Sequence, residues 1–379
     1  MSILEFEKKY KKAGLEYNPF TPDPLIEDNL SLFVGREKEL ERATNAIAKR
    51  KNVIISGWKG MGKTSFLSYL KAKVKSEKIM VSSMLATSEE RPFFLSLLSG
   101  IFRENPIFKE DKVVSLIKEN LRTYWKSPVA YPINLILEDI LELIEHYRVV
   151  DFPLVVFIDE VQKLALPRAK HDLQVTLCDL MFKPNFVFVC AGMTSFFKMM
   201  EEPDAALADR FTPEGDIVLT PIKEKETKAL IQRRLDEVRI NQEETIQPFS
   251  SEVISLIHKY SQGNPRHIVN LSELILDSYI DEGEITKETV KNSAARLNLL
   301  FAQRALDQLS EETQEVFRAI ADLSAGSPTS LSKAIGKPPS TIQYHLNTLK
   351  QAGLLVTKGK PPTTKYYIRE EDIGELKKD

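Results

Sequence analysis

Eight consecutive residues carry the strongest chemical signal in the chain: Gly57-Trp58-Lys59-Gly60-Met61-Gly62-Lys63-Thr64. Glycines at 57, 60 and 62 leave room for backbone N–H groups to converge on phosphate oxygens, at the positive end of the helix that follows. Lys63 is suited to neutralise β- and γ-phosphates and the Thr64 hydroxyl to bind Mg²⁺, with Ser65 counted in the same site. The expected ligands are ATP and ADP with Mg²⁺.

A phosphate loop alone does not separate binding from hydrolysis. Leu154-Val155-Val156-Phe157-Ile158-Asp159-Glu160 supplies the second element. Asp159, at the carboxyl end of an apolar strand, is placed to hold the Mg²⁺ shell, and Glu160 to polarise the attacking water as general base. The plainer alternative is two exposed carboxylates at a strand end. Arg210, in Leu207-Ala208-Asp209-Arg210-Phe211, falls between the fourth and fifth strands, where it can project toward a neighbouring subunit's γ-phosphate. That placement implies a homo-oligomer. Arg266, in Gly263-Asn264-Pro265-Arg266, starts a helix and can touch the phosphates of its own chain. For both arginines a surface ion pair is the alternative. Thr194, after Ala191-Gly192-Met193, is a candidate sensor of γ-phosphate and water, with Ser195 competing for the role.

The elements that must position these groups are read from hydrophobic pattern. Short apolar runs at Asn52 to Ser56, Ile79 to Ser83, Leu154 to Ile158, Phe186 to Cys190 and Ile217 to Leu219 alternate with helical periodicity. Continuous apolar strands between helices imply an α/β fold, a P-loop αβα core with a parallel sheet covered on both faces. A long helical section, residues 89–150, precedes Leu154 and exceeds what a simple crossover needs. After Lys223 strand signals stop, and amphipathic helices such as Thr227 to Val238 and Ser251 to Tyr260 imply a helical lid. The expected division is 1–222 nucleotide-binding core with an N-terminal arm, 223–300 lid, and 301–379 a third domain.

That third domain reads as helix, helix, helix and β-hairpin, a winged helix-turn-helix. Val316, Phe317 and Ile320 mark one helix, Ser330 to Ile335 a second that stops at Gly336, and Ser340 to Ala352 a third. Leu354 to Val356 and Lys365 to Ile368 form two strands around a polar turn. Between Leu331 and Arg369 there are basic residues and no Asp or Glu, the electrostatic footprint of phosphate contacts. Ile342, Leu346 and Leu349 share one face of the third helix, leaving Ser340, Gln343, Tyr344, Asn347 and Gln351 on the other. Ser340, Gln343, Tyr344 and Asn347, with Lys350 and the wing lysines Lys358, Lys360 and Lys365, are the candidate contacts to double-stranded DNA. Protein docking is the alternative use of such a module.

Composition sets limits. The 379 residues carry 52 Lys plus Arg against 54 Asp plus Glu, a net charge of -2, so attraction to nucleic acid must be local. The chain is 42% hydrophobic and 28% charged with no long apolar span, which argues against a membrane protein. Residues 1–17 lack the apolar core of a signal peptide, so the expected location is cytoplasmic. The two cysteines, Cys178 and Cys190, lie in apolar segments and read as buried thiols.

Taken in order, these motifs resemble an AAA+ ATPase. The resemblance implies an adenine-side box at Val34-Gly35-Arg36-Glu37, two Walker motifs, sensor 1 at Thr194, an arginine finger at Arg210 and sensor 2 at Arg266. With a C-terminal winged helix, the chain is similar to archaeal ATPases related to origin-recognition and Cdc-type replication initiators, from about Asn18 to Ile368. The implied function is an ATP-dependent DNA-binding protein in replication initiation, with a helicase or other DNA-processing protein as partner. Transcription or signalling control and a transposition or motor role are the rival expectations.

Overall fold

The computed structural model describes residues 3–105, 112–127, 131–148, 150–165, 171–193, 210–241, 245–307, 309–351, 354–359 and 364–368. The chain divides into two compact units, one of residues 21–245 and 261–269, the other of 1–20, 246–260 and 270–379. Helix α1 (Ile3–Lys12) belongs to the second.

Among the described residues of the first unit, the α-helices are α2 (Glu37–Ala48), α3 (Lys63–Ser76), α4 (Glu90–Glu104), α5 (Lys112–Lys126), α6 (Ile133–Tyr147), α7 (His171–Phe182) and α8 (Glu224–Val238). Among the described residues five strands, β1 (Val53–Gly57), β2 (Val81–Leu85), β3 (Leu154–Asp159), β4 (Phe186–Gly192) and β5 (Asp216–Leu219), form a parallel sheet ordered β2-β3-β4-β1-β5. Side chains alternate across a strand, so each apolar run feeds two cores. Leu154, Val156 and Ile158 of β3 join the core that holds Phe93, Leu97, Ile140 and Leu143 from α4 and α6. Val155 and Phe157 point the other way, to Ala43, Ile47, Phe66 and Leu70 of α2 and α3. Each such side chain contributes about 1.5–3 kcal/mol by leaving water.

The long helical section before β3 therefore forms part of one outer layer of the sandwich rather than a detached appendage. Strand β2 begins two residues later than the apolar run suggests. Its register with β3 starts at Val81 opposite Val155, and the Asn105 side chain pairs with both the N–H and the carbonyl of Val81.

The second unit contains α1, most of α9 (Ser251–Ser261) and α10 (Pro265–Glu282), and all of α11 (Lys287–Asp307). Residues 1–20, grouped by sequence with the nucleotide-binding core, pack here instead. The Tyr10 hydroxyl donates to Asp277, Asn18 donates to the same carboxylate at 2.9 Å, and the Phe20 ring meets Phe249 edge-on at 5.6 Å. The boundary drawn at 300/301 falls inside α11, where no breaker interrupts the helix.

The C-terminal module follows as α12 (Glu311–Leu323), α13 (Pro328–Ile335), α14 (Pro339–Gln351) and the antiparallel pair β6 (Leu355–Lys358) and β7 (Lys365–Ile368). Ser327 caps α13 by accepting from Ser330 N at 3.1 Å, with Pro328 in the first turn, and Gly336 ends it at φ 77°. Val316, Phe317, Ile320, Leu331, Ile342, Leu346 and Leu349 make one core with Tyr366 and Ile368 of the hairpin. Among the described residues no helix is long and apolar enough to cross a membrane.

Candidate nucleotide site and winged-helix face

Strand β1 ends at Gly57, where an added Cβ would lie 2.9 Å from the Leu219 carbonyl of the neighbouring strand. The loop then turns through Gly60 and Gly62, both at positive φ, and α3 begins at Lys63. Lys63 Nζ donates to the carbonyls of Gly57 at 2.9 Å and Trp58 at 3.1 Å. Burial lowers the Lys63 pKa, Glu160 and Asp159 pull the other way, and the Arg266 charge adds to the lowering. Trp58 is 75% exposed and Met61 is buried. The Ser65 hydroxyl accepts from Leu25 N at 3.0 Å, fixing the segment that enters the core.

Asp159, the last residue of β3, and Glu160 just past it face this loop, with β4 lying between β3 and β1 in the sheet. Thr64 Oγ1 donates to Asp159 Oδ2 at 2.7 Å, and Asp159 Oδ1 accepts from Glu160 N at 2.8 Å. Glu160 sits in the left-handed region at φ 56°, a conformation that costs a non-glycine residue about 1 kcal/mol or more. A hydroxyl and a carboxylate in hydrogen-bond contact are the hard oxygen donors Mg²⁺ takes, so Thr64 and Asp159 fit that ion. Among the described residues no group of three or more His, Cys, Asp or Glu could form an all-protein metal cage. A cation here would take further oxygens from water or a bound ligand.

The loop opens into a cavity of about 340 Å³, within the usual size range for small-molecule sites. Phe33, Val34, Ile222, Leu230 and Val269 line it with apolar side chains, while Lys63, Thr64, Glu160 and Arg266 line it with polar and charged ones. Phe33 stacks on Tyr69 at 4.7 Å, which stiffens the apolar wall. Gly35 and Arg36 both take positive φ to turn into α2, and Arg36 donates to the Thr220 carbonyl. Burial lowers the Arg36 pKa, against the favourable charge of Glu39.

Arg266 lines the cavity, with its N–H 3.3 Å from the Gly60 carbonyl. What holds it there is Asn264. Its Nδ2 donates to the Lys59 carbonyl at 3.0 Å and its Oδ1 accepts from Arg266 N at 3.1 Å. Asn264 thus staples the phosphate loop to the first turn of α10. Asparagine before a first-turn proline is a recognisable helix cap, so that signal stood in the sequence. Arg234 of α8 was also missed. It is buried in the cavity wall, donates to the Thr21 carbonyl at 3.4 Å, and burial pulls its pKa down to about 10, leaving it charged at neutral pH. Its signal was a basic residue in phase with Thr227, Leu230, Ile231 and Leu235 on the buried face.

Arg210 is not part of this cavity. Asn52, at the opposite, N-terminal edge of the sheet, donates to the Arg210 carbonyl at 3.2 Å, and the guanidinium stacks 3.5 Å over the Phe182 ring. Thr194 and Ser195 lie outside the described residues.

In the winged module Ser340, Asn347, Lys350, Lys358 and Lys365 are exposed, and Tyr344 is 68% exposed. Gln343 Nε2 donates to Asn347 Oδ1 at 3.0 Å and to the Tyr366 hydroxyl at 2.9 Å, so the two amides present one joined polar surface braced by the hairpin. Lys358 lies 5.2 Å from the Tyr367 ring centroid. Lys360 lies outside the described residues. Buried His345 behind this face bonds Thr313 at 2.8 Å and packs α14 on α12.

Strand order, phosphate loop, acidic strand end and C-terminal module together define the class: an AAA+ type αβα fold with an appended winged helix-turn-helix. Solved structures give the fold at chain scale. The ORC1 protein of Aeropyrum pernix, solved in complex with DNA, matches with a TM-score of 0.59 at 14% identity, covering 93% of this chain and 95% of that one. The ORC2 protein of Aeropyrum pernix, solved as ADPNP-ADP complexes, gives 0.60 at 16% identity over 93% of each. A Walker-type ATPase of Pyrococcus abyssi gives 0.60 at 16% over 94% and 99%. In sequence, an uncharacterised HTH-type transcriptional regulator of Methanocaldococcus jannaschii is 27% identical over 380 residues, 95% of this chain and 92% of its own. Residues 319–357 match the family model for bacterial regulatory proteins of the arsR family.

Proposed function

We propose that the protein is an ATP-hydrolysing, DNA-binding molecule in which nucleotide state governs engagement of the winged helix with duplex DNA. The observation that carries the hydrolytic half is the 2.7 Å contact between Thr64 and Asp159, with Glu160 next in the chain and in the cavity wall. In this reading the apolar lining residues take the adenine, and the phosphate loop with Lys63 and Arg266 takes the triphosphate. Mg²⁺ bound at Thr64 and Asp159 would neutralise phosphate charge when present. Glu160 accepts the proton of the attacking water as its oxygen bonds to the γ-phosphorus, while the γ-phosphorus bond to the bridging oxygen breaks and ADP leaves with that electron pair. Lys63 and Arg266 stabilise the charge on the transferred group, and Asn264 keeps Arg266 in place. The functional division into core, lid and winged helix is part of the same proposal.

The DNA half is supported by the exposed lysines and polar face of α14 and its hairpin. Arg210, held at the far edge of the sheet, is suited to meeting a second copy rather than its own nucleotide. Within this reading, a role in replication initiation draws on the fold shared with the Aeropyrum pernix proteins. Control of transcription is the second reading, favoured by the chain-length similarity to the Methanocaldococcus jannaschii regulator.

The test compares parent, Lys63→Ala and Glu160→Gln in ATP turnover and in duplex DNA affinity with and without ATP. Glu160→Gln should retain nucleotide and lose turnover, and Lys63→Ala should lose the ATP dependence of DNA binding. A Lys63→Ala variant that binds DNA with and without ATP as the parent does would overturn the coupling. A footprint confined to operator-like sites upstream of genes would select transcription control over initiation.

A further inference from the structure

Glu160 is held by more than its neighbour Asp159. Gln162 Nε2 donates to Glu160 Oε2, while Gln162 Oε1 accepts from Met193 N at 3.2 Å. One amide therefore ties the carboxylate to the main chain just past β4. We propose that Gln162 is the positioning residue of the hydrolytic base, referencing the Glu160 carboxylate to the sheet rather than to its own side-chain torsions. The proposal rests on the ATPase reading above.

Three observations converge on it. A glutamine suits the task, because its amide offers a donor to the carboxylate and an acceptor to the backbone N–H from one planar group. The neighbouring strand leaves room for that amide by carrying no side chain at Gly192, where a Cβ would fall 2.6 Å from Val161 Cγ1 and 2.9 Å from Gln162 Oε1. The anchor directly follows a paired strand, since β4 pairs with β1 as far as Gly192 and with β3 as far as Cys190.

The consequence is directional. The bond to Oε2 leaves Oε1 as the oxygen available to a water proton. Met193 and Glu160 line the same cavity. Free rotation of the carboxylate should cost rate and not affinity, because Gln162 itself does not line the cavity.

The experiment measures ATP binding, steady-state kinetics and single-turnover rates for the parent, Gln162→Ala, Gln162→Asn, Glu160→Gln and the Glu160→Gln/Gln162→Ala double variant. Gln162→Ala should lower kcat by about 10- to 100-fold with KM and nucleotide affinity unchanged, the scale expected when a reacting group is mispositioned by about 1 Å. Gln162→Asn, one methylene short of spanning both partners, should lose rate similarly, and it keeps a polar side chain should Gln162→Ala fold poorly. In the Glu160→Gln background, removing Gln162 should cost nothing further. Parental kcat in both Gln162 variants, or an equal loss with and without the Glu160 carboxylate, overturns the positioning role while leaving the ATPase reading intact. A Glu160→Gln variant that turns over at the parental rate overturns both.

Discussion

Substituting Gly60 by alanine should break the phosphate loop without touching a phosphate-binding group. Gly60 has φ +88°, and an added Cβ would lie 2.5 Å from Asn264 Oδ1, 3.0 Å from its Nδ2 and 3.1 Å from the Arg266 Cβ. The backbone cost for a residue with a Cβ is about 1–2 kcal/mol. The clash would be cheap if Asn264 could swing away, but its amide is held to Lys59 O at 3.0 Å and to Arg266 N at 3.1 Å. Displacing it forfeits bonds worth about 1 kcal/mol each. The sum is about 3 kcal/mol, or about a hundredfold loss in the population of the native loop. Trp58 is an exposed indole inside that loop, and the chain has two tryptophans, so a Trp125→Phe background leaves one local fluorescent reporter. ATP titrations followed at Trp58 should show about a hundredfold weaker binding for Gly60→Ala. In the Gly60→Ala/Asn264→Ala double variant the steric part should disappear and the φ part remain, so it should bind no worse than Gly60→Ala alone. Parental affinity for Gly60→Ala, or strictly additive losses in the double variant, would refute the stapled geometry.

Other expectations follow from single contacts. Burial alone would raise the Glu104 pKa, but the Ser83 hydroxyl and the ammonium groups of Lys71 and Lys75 outweigh it and hold it at about 2 against the ordinary 4.5. A carboxylate with a depressed folded-state pKa contributes stability above its ordinary value, and that contribution fades between pH 4.5 and about 2. Glu104→Gln should therefore cost up to about 3 kcal/mol at neutral pH, with the gap to the parent closing on acidification in urea titrations. Asn52→Ala removes the acceptor of Phe188 N at 2.9 Å and the donor to Arg210 O at 3.2 Å, and should lower stability by about 2–3 kcal/mol in calorimetry, leaving a buried N–H unpaired. Lys350→Ala and Lys365→Ala, both at exposed positions, should each flatten the salt dependence of duplex affinity by about 0.9 in log–log slope. An unchanged slope would remove that lysine from the phosphate contacts.

What was legible in the sequence is what neighbours in sequence accomplish together. The phosphate loop and the Asp159-Glu160 pair are contiguous, and each is read from local backbone needs and charge. Apolar runs marked the five strands, and apolar faces with the stop at Gly336 marked the helices of the winged module, although the Ser327 cap went unread and α13 starts at Pro328 rather than Ser330. The groups that were missed act across long separations. Asn264 meets Lys59 from 205 residues away, Gln162 meets Met193 from 31, and Asp277 meets Tyr10 from 267. Periodicity counts apolar residues, so it passed over Arg234 on a buried face, and chain order alone grouped the arm around Tyr10 with the nucleotide-binding core. Register is likewise a property of pairs, which is why β2 starts at Val81 and not at Ile79.

The contact between Gly60 and Asn264 also constrains how related chains can vary. Two positions 204 apart in number share one small volume, so neither can drift alone. Wherever a related sequence carries a side chain at the position of Gly60, the position of Asn264 must shrink or lose its hold on the loop, and the turn must accept a different backbone path. Substitution at the two sites should accordingly be correlated, a record in aligned sequences of a contact that no single sequence reveals.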